Sequence, residues 1–168
     1  VPVVINPSYG YIAGPHDGTR EFELAVDDIV QVWQSVFNVE VNIVIASGNN
    51  HLSRVHAQFD FSLPNDVAAA PWRIQPDDGT PSFVEVWLPT RAGKFPSPIE
   101  LSIITPDGLA SPLVGSPASS SYQLVSPSGG VLCEVGYHYV PAPTARGKFL
   151  ITISPTATLA ATGVIVSS

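Results

Sequence analysis

The sequence predicts an α+β chain: a partial βαβ segment of α/β type, followed by a mainly antiparallel β-sandwich or jelly-roll region. Two observations carry this. Helical spacing of apolar residues is confined to one stretch between residues 19 and 37. Beyond about residue 57 no 3.6-residue period survives, and short runs bounded by Pro and Gly take over. The composition agrees, since 45% hydrophobic and 12% charged residues in a chain of 168 mark a folding polypeptide rather than a disordered one. The division expected is 1–57 for the α/β segment and 58–168 for the β region.

In the first segment, Val3-Val4-Ile5 is a β-branched run stopped by Asn6-Pro7-Ser8, and it reads as a buried strand. A Gly- and Pro-containing loop from Gly10 to Gly18 follows. Thr19 is placed to N-cap a helix whose first turn carries Glu21 and Glu23, favourable to the amino-terminal dipole. Its apolar positions Phe22, Ala25, Val26, Ile29, Trp33 and Phe37 recur at helical spacing. Val39 to Ala46 reads as a second strand, ended by Ser47-Gly48-Asn49-Asn50. Strand, helix and strand make a βαβ unit, which calls for parallel strands joined by a crossover.

In the β region the expected strands are Ala57–Leu63, Ser82–Leu88, Ile99–Ile104, Tyr122–Val125, Val131–Val140, Phe149–Ile153 and Gly163–Val166. Ser82–Leu88 alternates, with Phe83, Glu85 and Trp87 to one side and Val84, Val86 and Leu88 to the other, so burial of both faces is expected. A small repeat punctuates the strands: Thr105-Pro106-Asp107-Gly108, Ser126-Pro127-Ser128-Gly129 and Ser154-Pro155-Thr156-Ala157. Each joins a hydroxyl residue to a proline that presets φ, and two add a glycine free to take positive φ, so they read as turns.

Charge and composition exclude several classes. Seven cations against fourteen anions give a net charge of -7, and the cations form no stripe able to neutralise phosphates, so nucleic acid is not an expected partner. No apolar run approaches the roughly 18 residues of a membrane span. One cysteine, Cys133, excludes an internal disulfide and a cysteine-based zinc cluster, and its alternation with apolar neighbours marks an inert, strand-borne thiol. The chain has no methionine, which suggests a piece of a larger protein.

The phrases Val4-Ile5-Asn6-Pro7-Ser8-Tyr9-Gly10 and Asn42-Ile43-Val44-Ile45-Ala46-Ser47-Gly48-Asn49, separated by a helix carrying Ala25-Val26-Asp27, resemble the middle of a subtilisin-like serine protease catalytic domain. The resemblance covers about the first third of the chain. It implies that Asn49 matches the asparagine whose amide donates to the oxyanion of the tetrahedral intermediate, a donor worth about 3 to 4 kcal/mol of transition-state stabilisation. It further implies that Ser8, Tyr9 and Gly10 pair with substrate backbone as an added strand, and that Ala46, Ser47 and Gly48 wall the primary specificity pocket. Read without the resemblance, Gly48-Asn49 is an ordinary turn after a strand. Pro7 replaces the family's commoner apolar residue, and Asn50 stands where the family often has an acidic one.

The Asp, His and Ser that such an enzyme needs have no match here. The two Gly-Thr pairs run on into Arg20 and Pro81, and His16, His51, His56 and His138 lie in no H-G-T-H context. The expectation is therefore a section of a secreted or cell-envelope peptidase that is inactive alone. Its partners would be a polypeptide substrate and the remainder of the protease domain, and its uncovered apolar surface would favour self-association.

Elsewhere, His16-Asp17 reads as a polar turn beside the substrate strand, and the spacing of His51 and His56 does not suit two ligands on one helical face. Asp77-Asp78-Gly79 offers carboxylates to calcium without a known ligand pattern, so a turn is expected and no cofactor or metal is assigned. The β region loosely resembles the P-domain or pre-peptidase jelly rolls that accompany such proteases. The rival reading is a carbohydrate- or protein-binding module, with Trp72, Trp87 and Tyr137 as a sugar platform. A capsid-like jelly roll fits the Pro-rich strands but not the helix.

Overall fold

Three consecutive β-branched residues form β1 (Val3–Ile5), and three more residues form β2 (Val41–Ile43), in a computed structural model that describes residues 1–48, 50, 52–89, 99–115, 120–140, 145–159 and 165–167. The two strands are parallel, with Val3 opposite Val41, Val4 opposite Asn42 and Ile5 opposite Ile43. Between them runs α1 (Glu21–Phe37), the only helix among the described residues. The chain divides into two units, Val1–Trp72 and Arg73–Ser168. The change in sequence character near residue 57 thus precedes the division, and the intervening residues 58–72 form no strand. Ala57–Leu63, expected as a strand, is irregular and exposed. Its apolar residues alternate, but among the described residues no strand pairs with them.

The helix begins one residue later than expected. Arg20 is the N-cap, and its N–H donates to the Glu23 carboxylate at 2.9 Å, while the Thr19 hydroxyl is turned back to Asp17. Asp17 outcompetes the helix for Thr19 because an Asx turn closes with only one residue between the partners. At the other end Asn38 takes the left-handed conformation, φ 53°, and its N–H reaches the Trp33 carbonyl, a cap that asparagine tolerates better than most residues. Val41 is the one buried residue described in this unit. Val4 is 66% exposed and Val36 67% exposed, so both the sheet and the helix leave apolar surface uncovered.

The second unit holds β3 (Ser82–Trp87), β4 (Glu100–Leu101), β5 (Val114–Gly115), β6 (Ser121–Val125), β7 (Val131–Val140), β8 (Arg146–Ile153), β9 (Ala157–Leu159) and β10 (Ile165–Ser167). β3, β8, β7 and β6 form one antiparallel sheet in that order, while β4 pairs with β5 and β9 with β10, also antiparallel. One face of the large sheet supplies Val135, Tyr137, Phe149 and Ile151, which pack with Leu88 and with Val114 of β5 to form the core. The other face is polar: the Lys148 ammonium donates to Glu85 at 2.7 Å and sits 4.9 Å from the Trp87 ring centre, while the Trp87 indole N–H donates to the same carboxylate at 3.0 Å. Phe83 is exposed on this side, so β3 is not buried on both faces as its alternation suggested.

Two of the three proline-containing repeats adopt the same turn. Gly108 N–H donates to the Thr105 carbonyl and Gly129 N–H to the Ser126 carbonyl, each at 2.9 Å, with φ of 88° and 89° at the glycines. These are the positive φ values that glycine adopts without penalty. The third repeat ends in Ala157 and closes no hairpin of this kind. Thr156 instead donates its hydroxyl to the Gln75 carbonyl and accepts from the Asp78 N–H, fastening the segment before β9 to the loop before β3.

At the centre of the core the Tyr137 ring lies edge-on to Phe149, 5.2 Å between centres, and covers Gly147. A Cβ at Gly147 would stand 2.7 Å from two Tyr137 ring carbons, so Gly147→Ala is expected to cost about 1 to 3 kcal/mol by overpacking, read as a lower urea midpoint at unchanged slope. The Tyr137 hydroxyl is buried with no hydrogen-bond partner among the described residues, and burial pushes its pKa up. Tyr137→Phe removes that unsatisfied group while keeping the ring, so the same measurement should show stability retained or raised by about 1 kcal/mol.

Candidate functional site

The parallel pairing of β1 and β2 brings their carboxyl ends side by side, the edge at which open α/β sheets bind ligands. The pairing continues one step past the strands, where Val44 N–H donates to the Ile5 carbonyl at 2.9 Å. Beyond it the two candidate substrate segments run close together. A Cβ at Gly10 would lie 3.6 Å from the Ala46 carbonyl oxygen and 4.0 Å from the Gly48 Cα, ordinary contact distances. Ser8, Tyr9 and Gly10 are exposed along one segment, and Ala46, Ser47 and Gly48 along the other. Gly48 has φ 99°, a conformation that residues with a Cβ rarely adopt, so glycine is required for the chain to turn there. Asn49 itself, with His51, lies outside the described residues.

The loop after the Ser8–Gly10 segment is held by its own side chains. Tyr9 packs edge-on to Tyr11 at 5.0 Å, and Tyr11 to Phe22 of α1 at 5.3 Å. The Arg20 guanidinium stacks 4.1 Å from the Tyr11 ring centre and donates to the Ala13 carbonyl at 2.7 Å. One residue therefore starts the helix with its backbone and clamps the loop with its side chain. Further along, the His16 Nε2–H donates to the Ile12 carbonyl at 2.7 Å, and the His16 ring stands 5.8 Å from that of His56. Beneath this edge, Val3, Ile5 and Val41 of the strands and Ile29 and Trp33 of the helix line an apolar cleft of about 150 Å³.

Neither the Arg20–Tyr11 stack nor the His16–His56 pair has a local sequence signal. The first crosses a loop, and the second joins residues separated by the whole helix and β2, a proximity that no local spacing encodes. Gly48 falls in the Gly48-Asn49 turn that the sequence marks after an apolar run, and its positive φ fits a turn there.

Other candidate residues fall elsewhere. Tyr137 is 2% exposed in the core of the second unit and cannot serve in a sugar platform, because it sits on the face of the sheet opposite Trp87. Trp72 is exposed at the end of the first unit. Cys133 is buried on β7, and burial pushes its thiol pKa up, which disfavours the reactive thiolate. The Asp78 carboxylate accepts from the Thr80 hydroxyl at 2.6 Å and from its N–H at 2.9 Å, and these bonds hold its pKa below the usual carboxylate value. Asp77-Asp78-Gly79 is thus a turn whose central carboxylate is already engaged. Among the described residues no three His, Cys, Asp or Glu side chains gather to hold a metal, and no helix is long and apolar enough to cross a membrane.

The chain matches no known protein family, no curated protein and no solved structure.

Proposed function

We propose that this chain is a non-catalytic section of a subtilisin-like serine endopeptidase, secreted or held at the cell envelope. In this reading Ser8, Tyr9 and Gly10 form the substrate-pairing strand, Ala46, Ser47 and Gly48 the wall of the primary pocket, and Asn49 the oxyanion donor. The observation that supports it best is the parallel register of β1 and β2 on either side of a helix, with Gly10 against Ala46 and Gly48. That arrangement leaves an exposed segment along one edge for an extended peptide to join, the part this reading gives to Ser8, Tyr9 and Gly10. The apolar surface left on α1 and β1 suits coverage by further elements of a catalytic domain or by a second copy. The β region is read as a sandwich or jelly-roll module attached to it.

The 168 residues alone, lacking a triad, should not turn over a fluorogenic peptide; turnover abolished by a serine-directed inhibitor would overturn the reading. In the native polypeptide that contains this section, Asn49→Ala should lower kcat by roughly 100- to 1,000-fold with KM little changed.

A second reading, a carbohydrate- or protein-binding module, is favoured by Trp87, which lies beside Lys148 and Arg146 on the polar face of the large sheet. It predicts saturable glycan binding that Trp87→Ala abolishes, measured by glycan array and calorimetry on the 168-residue chain.

A further inference from the structure

The loop after β1 and the segment after β2 meet at two histidines, and the chemistry of that meeting points to a cation. A carbonyl oxygen can only accept, so the 2.7 Å contact between His16 Nε2 and the Ile12 carbonyl requires the proton on Nε2. That leaves the Nδ1 lone pair of neutral His16 available as a ligand. A ring nitrogen donating to a backbone carbonyl while the other faces outward is the usual second contact of a metal-bound histidine, since it fixes both tautomer and ring orientation.

His56 stands opposite at 5.8 Å between ring centres, with the rings 83° apart. Zinc–imidazole bonds of about 2.0 to 2.1 Å place a metal about 3.2 Å from each ring centre, so a tetrahedral angle asks for centres about 5.2 Å apart. The observed separation exceeds this by about 0.6 Å, within reach of a modest side-chain rotation or a wider ligand angle. Both imidazoles are exposed, so solvent can fill the remaining positions. The net charge of -7 favours approach of a divalent cation.

We infer that His16 and His56 form a two-histidine site for a borderline divalent transition ion, zinc first, which staples the loop following β1 to the segment following β2. Imidazole donors with open water positions suit zinc, copper or nickel and not calcium or magnesium, which prefer oxygen. The inference rests on this pair of loops and is independent of the peptidase reading.

The test is calorimetric titration of the 168-residue chain with zinc chloride alone. One zinc per chain is expected, with affinity falling at least roughly tenfold in His16→Ala and in His56→Ala, and unchanged in His138→Ala, whose histidine lies on β7. Absence of binding, single variants that bind like the parent, or an equal loss in His138→Ala would overturn it. A second measurement needs no variant: on zinc addition to the unaltered chain the imidazole nitrogen resonances of His16 and His56 should shift selectively, and shifts confined to other histidines would equally overturn the proposal.

Discussion

The first unit depends on a parallel pairing of only three residue pairs, Val3 with Val41, Val4 with Asn42 and Ile5 with Ile43. Parallel strands cannot be joined by a tight turn, so the pairing demands a crossover, and α1 supplies it. The same pairing makes both chains leave the sheet at one edge, which is why Gly10 meets Ala46 and Gly48 and why His16 can meet His56. Antiparallel strands would have sent these segments to opposite ends. The pairing also sets a limit: two short strands and one helix enclose very little, and among the described residues of this unit Val41 alone is buried. Positioning of the candidate site is therefore achieved by local contacts, the Arg20 clamp and the Tyr9–Tyr11–Phe22 chain, more than by a core beneath it.

The second unit solves the opposite problem. Its large sheet hides one face behind Leu88, Val114 and their neighbours, with Val135 and Phe149 fully enclosed. On the other face charge is neutralised within the sheet: the Glu85 carboxylate takes hydrogen bonds from both Lys148 and Trp87, and the cation also lies over the indole. Such half-buried charge pairs hold strand register, since a slip by one residue would carry Lys148 to the core side.

Legibility in the sequence followed the range of the interactions. β1 and β7 run between the residues that alternation and β-branching marked, Val3 to Ile5 and Val131 to Val140, and α1 ends at Phe37 where its apolar spacing ends. Gly108 and Gly129 turn as their Pro-x-Gly contexts indicated. The misreadings share a cause, competition from a partner distant in sequence or unusually close. Thr19 is claimed by Asp17 before it can cap, Ala57–Leu63 has the pattern of a strand but no strand beside it, and Thr156 is drawn to Gln75 and Asp78. Tyr137 carried a polar tip that suggested a surface, yet the parity of β7 assigns its ring to the same side as Val135 and Cys133, where its hydroxyl goes unmatched. At the candidate site the end of β1 was legible, whereas β2 covers only Val41–Ile43 of the expected Val39 to Ala46, and the clamp by Arg20 and the pairing of His16 with His56 depend on how loops close and had no local signal.

The contact between Tyr137 and Gly147 also bears on how this sequence can change over time. Because the ring occupies the space a side chain at 147 would need, the two positions do not drift independently: a larger residue becomes acceptable at 147 only in a lineage that has already lost the aromatic ring at 137. That order is open, since trimming the ring first leaves a void rather than a collision. Descendants of this chain should therefore carry the pair as tyrosine or phenylalanine with glycine, or as a small residue opposite a larger one, with the intermediate steps taken in one direction.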